Sequence, residues 1–146
     1  MNDIASLELR ETLPDPTEYF ALFESTGWNQ EYGMTAEEVQ RAIRESWCVI
    51  TAYDDGKLIG TGRVISDGVF HALIVDVIVR PEYQKQGVGT LIMQRLLERC
   101  RAARLRDVQL FCARGKAQFY QKLGFVSRAE DSPGMDWKVR ATALPD

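Results

Sequence analysis

A chain of 146 residues, 45% hydrophobic and 27% charged, is long enough to bury one core without disulfides or metals and is too apolar to be disordered. Its 18 basic against 21 acidic residues leave a net charge of -3, which lacks the positive field of a nucleic-acid binder. No uncharged apolar run is long enough to span a bilayer, and Met1 to Arg10 carries acids without an apolar leader core, so no membrane partner and a cytoplasmic location are expected.

With no repeat or low-complexity linker, residues 1–146 are expected to form a single domain. Ser6 to Arg10 alternates as a first strand, and Pro14-Asp15-Pro16 breaks it and opens a helix to about Ser25, ended by Gly27. Thr35 and Glu38 have capping-box spacing, so a second helix starts there with Val39, Ala42 and Ile43 on its apolar side and stops near Glu45. Trp47 to Tyr53 and Leu58 to Ile65 read as an antiparallel hairpin about an Asp54-Asp55-Gly56-Lys57 turn. After a second turn at Ser66-Asp67-Gly68, Phe70 to Val79 is rich in β-branched residues. Its apolar run from Leu73 is interrupted only by Asp76, which predicts a central strand buried on both faces.

From Gly87 to about Ala103, apolar residues at 88, 91, 92, 96 and 100 fall on one helical stripe. Val108 to Cys112 is a short strand and Lys116 to Leu123 a short helix closed by Gly124. Phe125 to Val126 with Met135 to Val139 are expected to form a terminal strand pair. The order is β-α-α-β-β-β-α-β-α-β-β, an α/β fold with a mixed sheet flanked by helices. Cys48, Cys100 and Cys112 are odd in number and far apart, so they read as buried small hydrophobes. With His71 the one histidine, no metal site is expected.

The segment Val77 to Thr90 joins a buried strand to a helix through a loop bearing Gly87 and Gly89. Amides at a helix start lack intrahelical partners and face a site where the helix dipole favours negative charge, so a pyrophosphate satisfies both. Gln84, Lys85 and Thr90 add polar groups beside them. The glycines alone do not separate such a cradle from a structural turn, but two nucleotide motifs are excluded. Ile92 stands where a dinucleotide fold has its third glycine, and no G-K-[ST] follows.

Two blocks then resemble one family. Gln84-x-x-Gly87-x-Gly89 after a strand ending V-x-P is similar to the cofactor loop of the GNAT acetyltransferases. Phe119-Tyr120-Gln121-Lys122-Leu123-Gly124-Phe125 resembles the family's F-Y-x-K-L-G-F segment. The element order is also the family's, and the N-terminal third matches it only as architecture. Ser66-Asp67-Gly68-Val69-Phe70 and Ala72-x-Ile74-x-Asp76-x-x-Val79 look most like the arylalkylamine, serotonin-type members of plants and cyanobacteria.

The resemblance implies a central splayed sheet and transfer of an acetyl group from acetyl-CoA, without a metal, to a primary amine in a ternary complex. Val77 and Val79 would pair with the pantetheine arm, and a freed amide near Ile78 would bind the oxyanion. Gln84, Lys85, Gln86, Gly87, Val88, Gly89 and Thr90 would hold the pyrophosphate, with Phe119 and Tyr120 also lining the cofactor. Tyr120 would protonate the leaving thiolate, or else serve as an amphipathic packing residue. Asp76 is either the base for the amine or half of a structural ion pair. His71 is a weaker candidate base near a strand start, and Cys112 a remote covalent one.

For the acceptor, Trp28 and Tyr32 between the first two helices, with Phe70 and Asp76, form the candidate substrate set. Packing of the helix pair is the alternative use of the two aromatics. The expected partner is a small-molecule amine, and the resemblance also allows a homodimer. A peptide, amino-acid or aminosugar acceptor, or a non-catalytic acyl-CoA sensor, fits the same cofactor residues.

Overall fold

The computed structural model describes residue 4 and residues 6–138. The chain divides into two compact units, one reaching Leu110 and one beginning at Phe111. The first is built on a five-stranded sheet in the order β1-β2-β3-β4-β5. Strands β1 (Leu7–Arg10), β2 (Cys48–Asp54), β3 (Lys57–Ser66) and β4 (His71–Val79) pair antiparallel, and β5 (Asp107–Leu110) joins β4 in parallel.

Helix α1 (Pro16–Glu24) starts where expected, because the Asp15 carboxylate accepts from the Thr17 and Glu18 amides at 3.1 and 3.0 Å. A one-turn helix, α2 (Asn29–Tyr32), was absent from the expected order. The Asn29 side chain makes it, donating to the Met34 carbonyl and accepting from the Met34 amide, while Gly33 closes it at φ 63°. Helix α3 (Ala36–Arg44) carries the expected capping box in full. From α1 and α3, Tyr19, Leu22, Phe23, Val39 and Ile43 bury against Val49, Tyr53, Leu58 and Ile78 of the sheet.

Helix α4 (Val88–Ala102) packs on β2, β3 and β4. Its buried residues are Val88, Ile92, Met93, Leu96 and Cys100, so Met93 takes the place the stripe gave to Leu91, which is partly exposed. The approach is close because β3 offers no side chain there. A Cβ on Gly60 would stand 2.9 Å from Ile92 Cδ1, and one on Gly62 2.7 Å from Ile92 Cγ2 and 2.9 Å from Leu96 Cδ1. Ile92 and Leu96 are fully buried and have little room to yield.

Four expectations need correction. Strand β4 lies inside the sheet with helices packed on both of its faces, but only Ala72, Ile74 and Ile78 on it are buried, while Leu73, Val75, Val77 and Val79 are half-buried, so the cover is partial. Strand β5 stops at Leu110, so Phe111 and Cys112 lie beyond it. Cys48 and Cys100 are buried thiols, whereas Cys112 is exposed. Phe125–Val126 and residues 135–138 form no strand among the described residues, and Val139 lies outside them. Residues such as Phe125, Val126 and Trp137 have strand propensity, but propensity without a laddered neighbour leaves the backbone irregular. Among its described residues the second unit has one helix, α5 (Ala117–Lys122), followed by Gly124 at φ 99°.

Replacing Gly62 by Val is expected to lower stability by about 1–3 kcal/mol through overpacking against α4. Urea unfolding of the variant beside the parent checks this through the shift in midpoint.

Candidate active site

The site begins with a break in the sheet. Arg63 pairs with Val75 and Thr61 with Ile78, so Asp76 and Val77 together stand opposite Gly62 in a β-bulge. Asp76 sits at φ 51°, a left-handed conformation that a non-glycine residue adopts only when its surroundings hold it there. Parallel pairing with β5 covers only His71 to Ile74. From Val75 to Val79, β4 is laddered to β3 alone, and among the described residues its other edge has no strand beside it. An open edge presents backbone donors and acceptors to an extended ligand.

That edge runs into the glycine loop. Arg80 fixes the turn, its amide donating to the Ile59 carbonyl at 2.8 Å and its Nε to the Leu58 carbonyl at 2.7 Å. Pro81–Tyr83 form a single 3-10 turn, and the Tyr83 hydroxyl donates to Asp54 Oδ2 at 2.8 Å. Gln84 and Gln86 brace the loop from within, donating to the Val79 and Glu82 carbonyls at 3.0 and 3.1 Å. Lys85 at φ 61° and Gly87 at φ 87° then turn the chain into α4. Gly87 is the N-cap and has no side chain to give, so no side-chain oxygen caps α4 and its first-turn amides keep their donors. The space a Cβ would take at Gly87 is open to 4 Å.

Beside the bulge lies a charged cluster that the sequence reading did not assemble. Arg63 of β3 donates to Asp76 Oδ2 from Nε at 3.0 Å and stands 2.9 Å from it through Nη2. Its Nη1 donates to the Ala42 carbonyl at 3.3 Å and the Ser46 hydroxyl at 3.2 Å. Asp76 is therefore half of an ion pair, one of the two uses its position allowed. Tyr19 of α1 is buried beside them. Burial pushes its phenol up to about 12, with the Asp76 carboxylate acting the same way and the Arg63 guanidinium opposing. The available signal was a lone basic residue inside an apolar strand, matched by a lone acid in the next.

Phe70 and His71 stand at the opposite end of β4, their rings stacked at 4.1 Å, and His71 Nδ1 is 3.0 Å from Asp107 Oδ2 across the β4–β5 pair. Phe70 is exposed and is not brought to Asp76, because an extended strand advances about 3.3 Å per residue. Trp28 meets Phe23 edge-on at 6.4 Å and is partly exposed, and Tyr32 on α2 is exposed. In the second unit, Tyr120 is half-buried, edge-on to Phe119 at 4.9 Å and to Phe125 at 6.0 Å. Burial raises its phenol pKa, and the Cys112 thiol adds to the rise.

The sheet, its bulged fourth strand and the loop into α4 define an acetyltransferase type of fold. A probable acetyltransferase from methicillin-resistant Staphylococcus aureus superposes with a TM-score of 0.77 at 29% identity, over 91% of this chain and 99% of that one. The Acetyltransferase (GNAT) family profile matches residues 8–125, and the chain belongs to that family. An uncharacterized N-acetyltransferase of Pyropia yezoensis is 31% identical over 82% of this chain and 69% of its own length. Serotonin N-acetyltransferase 2, chloroplastic, of Oryza sativa subsp. japonica is 31% identical over 68% of this chain, which spans about half, 52%, of that relative.

The raised Tyr19 phenol has a consequence for stability. The folded protein keeps a proton that the unfolded chain releases above about pH 10, so this contribution is complete below about pH 10 and is lost as pH rises toward about 12. Urea midpoints measured across that window are expected to fall more steeply for the parent than for Tyr19→Phe.

Proposed function

We propose that the protein transfers an acetyl group from acetyl-CoA to the primary amine of a small molecule, with an arylalkylamine as the acceptor class. The observation that carries this is the open β4 edge, leading from the left-handed Asp76 directly into an α4 N-terminus without a side-chain cap. The residues present fit the acyl carrier. Val77 and Val79 lie on the open edge, Gly87 leaves room for phosphates, and the Val88, Gly89 and Thr90 amides supply donors at the positive end of a helix. Lys85 adds a cation in the same loop. The carrier supplies a thioester carbonyl open to attack by a neutral amine.

Each remaining task falls to a group of this chain. Ile78 itself ladders to Thr61, so the donor to the oxygen that gains charge is the amide freed by the bulge beside it, a role in which one hydrogen bond is worth roughly 100-fold in rate. Tyr120 gives its proton to the departing thiolate, an assignment made on the family's F-Y-x-K-L-G-F block. A phenol that burial keeps protonated suits an acid. Asp76, engaged by Arg63, is assigned to the ion pair, and the amine proton passes to solvent. Trp28 and Tyr32 are the aromatic surface for the acceptor. The relative named as a serotonin N-acetyltransferase supports an aryl amine, and the free buried thiols of Cys48 and Cys100 suit a reducing cytosol.

The test is thiol release from acetyl-CoA with tryptamine, serotonin, spermidine and amino acids in turn. Amine-dependent release led by tryptamine or serotonin is expected. Release led by an amino acid would move the acceptor to another class, and binding without release would favour an acyl-CoA sensor. Tyr120→Phe is expected to lower kcat roughly 100-fold or more with the affinity for CoA unchanged. Gly87→Val, which puts a β-branched residue at φ 87°, is expected to weaken CoA binding by roughly 10-fold or more, as titration calorimetry would read.

A further inference from the structure

We propose that Arg63 is a positioning residue for the transfer strand: it holds Asp76 in the left-handed bulge from the C-terminal end of α3, and so sets the direction of the backbone amides that follow it. The consequence for catalysis rests on the acetyl-transfer reading, while the hold on the bulge does not.

The geometry is that of a three-element tie. Arg63 points away from the α4 face of β3, where its neighbour Gly62 meets Ile92 and Leu96. On its own face it uses Nε and Nη2 for Asp76 Oδ2, and Nη1 for the Ala42 carbonyl and the Ser46 hydroxyl. Ala42 lies in the last turn of α3, where helix carbonyls lack intrahelical donors, and the Ser46 hydroxyl also donates to that carbonyl. The planar guanidinium thus joins α3, β3 and β4 in one fixed orientation that a flexible ammonium does not reproduce. Its side chain is 15% exposed and that of Asp76 29%, so water competes weakly for the contacts.

Asp76 needs such an anchor. Aspartate tolerates φ near 51° better than most residues, yet the extended conformation of the rest of β4 remains its intrinsic preference. Relaxation to that conformation would redistribute the extra residue of the bulge and rotate the peptides after it. These peptides carry the amides assigned to the carrier and the oxyanion. A misdirected donor costs the transition state more than it costs ground-state binding, so the effect belongs in kcat.

Two measurements on the full chain decide the matter. The first is amide hydrogen exchange along Val75 to Val79 in the parent and in Arg63→Met, followed by mass spectrometry. Faster exchange concentrated in this segment, with β1 and β2 unchanged, is expected. Exchange unaltered there, or raised evenly across the sheet in step with a lower Tm, would overturn the proposal. If Arg63→Met does not fold, Arg63→Lys and Ser46→Ala weaken the same tie more gently and are read by the same criterion.

The second is steady-state kinetics in two backgrounds. Arg63→Met is expected to lower kcat roughly 10- to 100-fold with KM for acetyl-CoA within about 3-fold, and Arg63→Lys to restore part of the loss. In an Asp76→Gly background, glycine adopts the left-handed conformation unaided, and Arg63→Met is expected to cost less than about 3-fold. An equal loss in both backgrounds would overturn the tie through Asp76. A parent without acetyl transfer would overturn the functional reading, and the exchange experiment would still decide the bulge.

Discussion

A β-strand flanked on both sides satisfies its backbone by pairing, and β4 can receive a ligand only where that pairing is given up. The extra residue at Asp76 meets this constraint. It keeps β4 attached to β3 on one edge, while the parallel ladder with β5 ends at Ile74 and, among the described residues, leaves the segment to Val79 with a free edge. A bulge also increases local twist, which turns two neighbouring strands apart after a few paired residues. The rest of the first unit can be understood as what is needed to hold one left-handed aspartate inside a sheet.

The two faces of β3 share this work. Gly60 and Gly62 let α4 lie against the strand, so Val88 is buried and the start of the helix is fixed beside the end of β4. On the other face Arg63 reaches Asp76 and the end of α3, and Tyr19 of α1 closes over the pair. Burying an ion pair is costly unless its remaining hydrogen-bonding groups are also satisfied, and Ala42 and Ser46 supply that for Arg63. Helices on both sides of the sheet thus meet at one backbone irregularity.

Much of this was legible in the sequence where local chemistry decides. The Asp15 cap, the Thr35–Glu38 box and the hairpin turn at Asp55-Gly56 follow from side-chain hydrogen bonds and backbone conformations confined to a few residues. The loop from Gln84 to Thr90 was legible for the same reason, and so was the family. What escaped depends on residues far apart in the chain. Arg63 and Asp76 were each visible as a charge inside an apolar strand, but the register that brings them to 2.9 Å is a property of the bulge. Met93 replaced Leu91 in the buried stripe because the closeness of α4 to the sheet is set by glycines on β3. Phe70 and Asp76 were grouped as candidate acceptor residues, and the extended backbone sets them apart, Phe70 just before β4 and Asp76 toward its far end. The terminal strand pair was read from apolar composition, which does not supply a neighbouring ladder.

The hairpin turn between β2 and β3 has a meaning beyond the sheet. Exposed Asx-Gly turns of this kind are the usual choice for inserting a tag, a linker or new chain ends. Here Asp54 accepts from Tyr83, Lys57 Nζ lies 3.5 Å from Glu82, and the carbonyls of Leu58 and Ile59 receive Arg80. The turn is a buttress of the glycine loop. For protein engineering, the apparently spare corner of the sheet is therefore unsuitable ground, and an insertion there would act on the loop while leaving every residue of it unchanged.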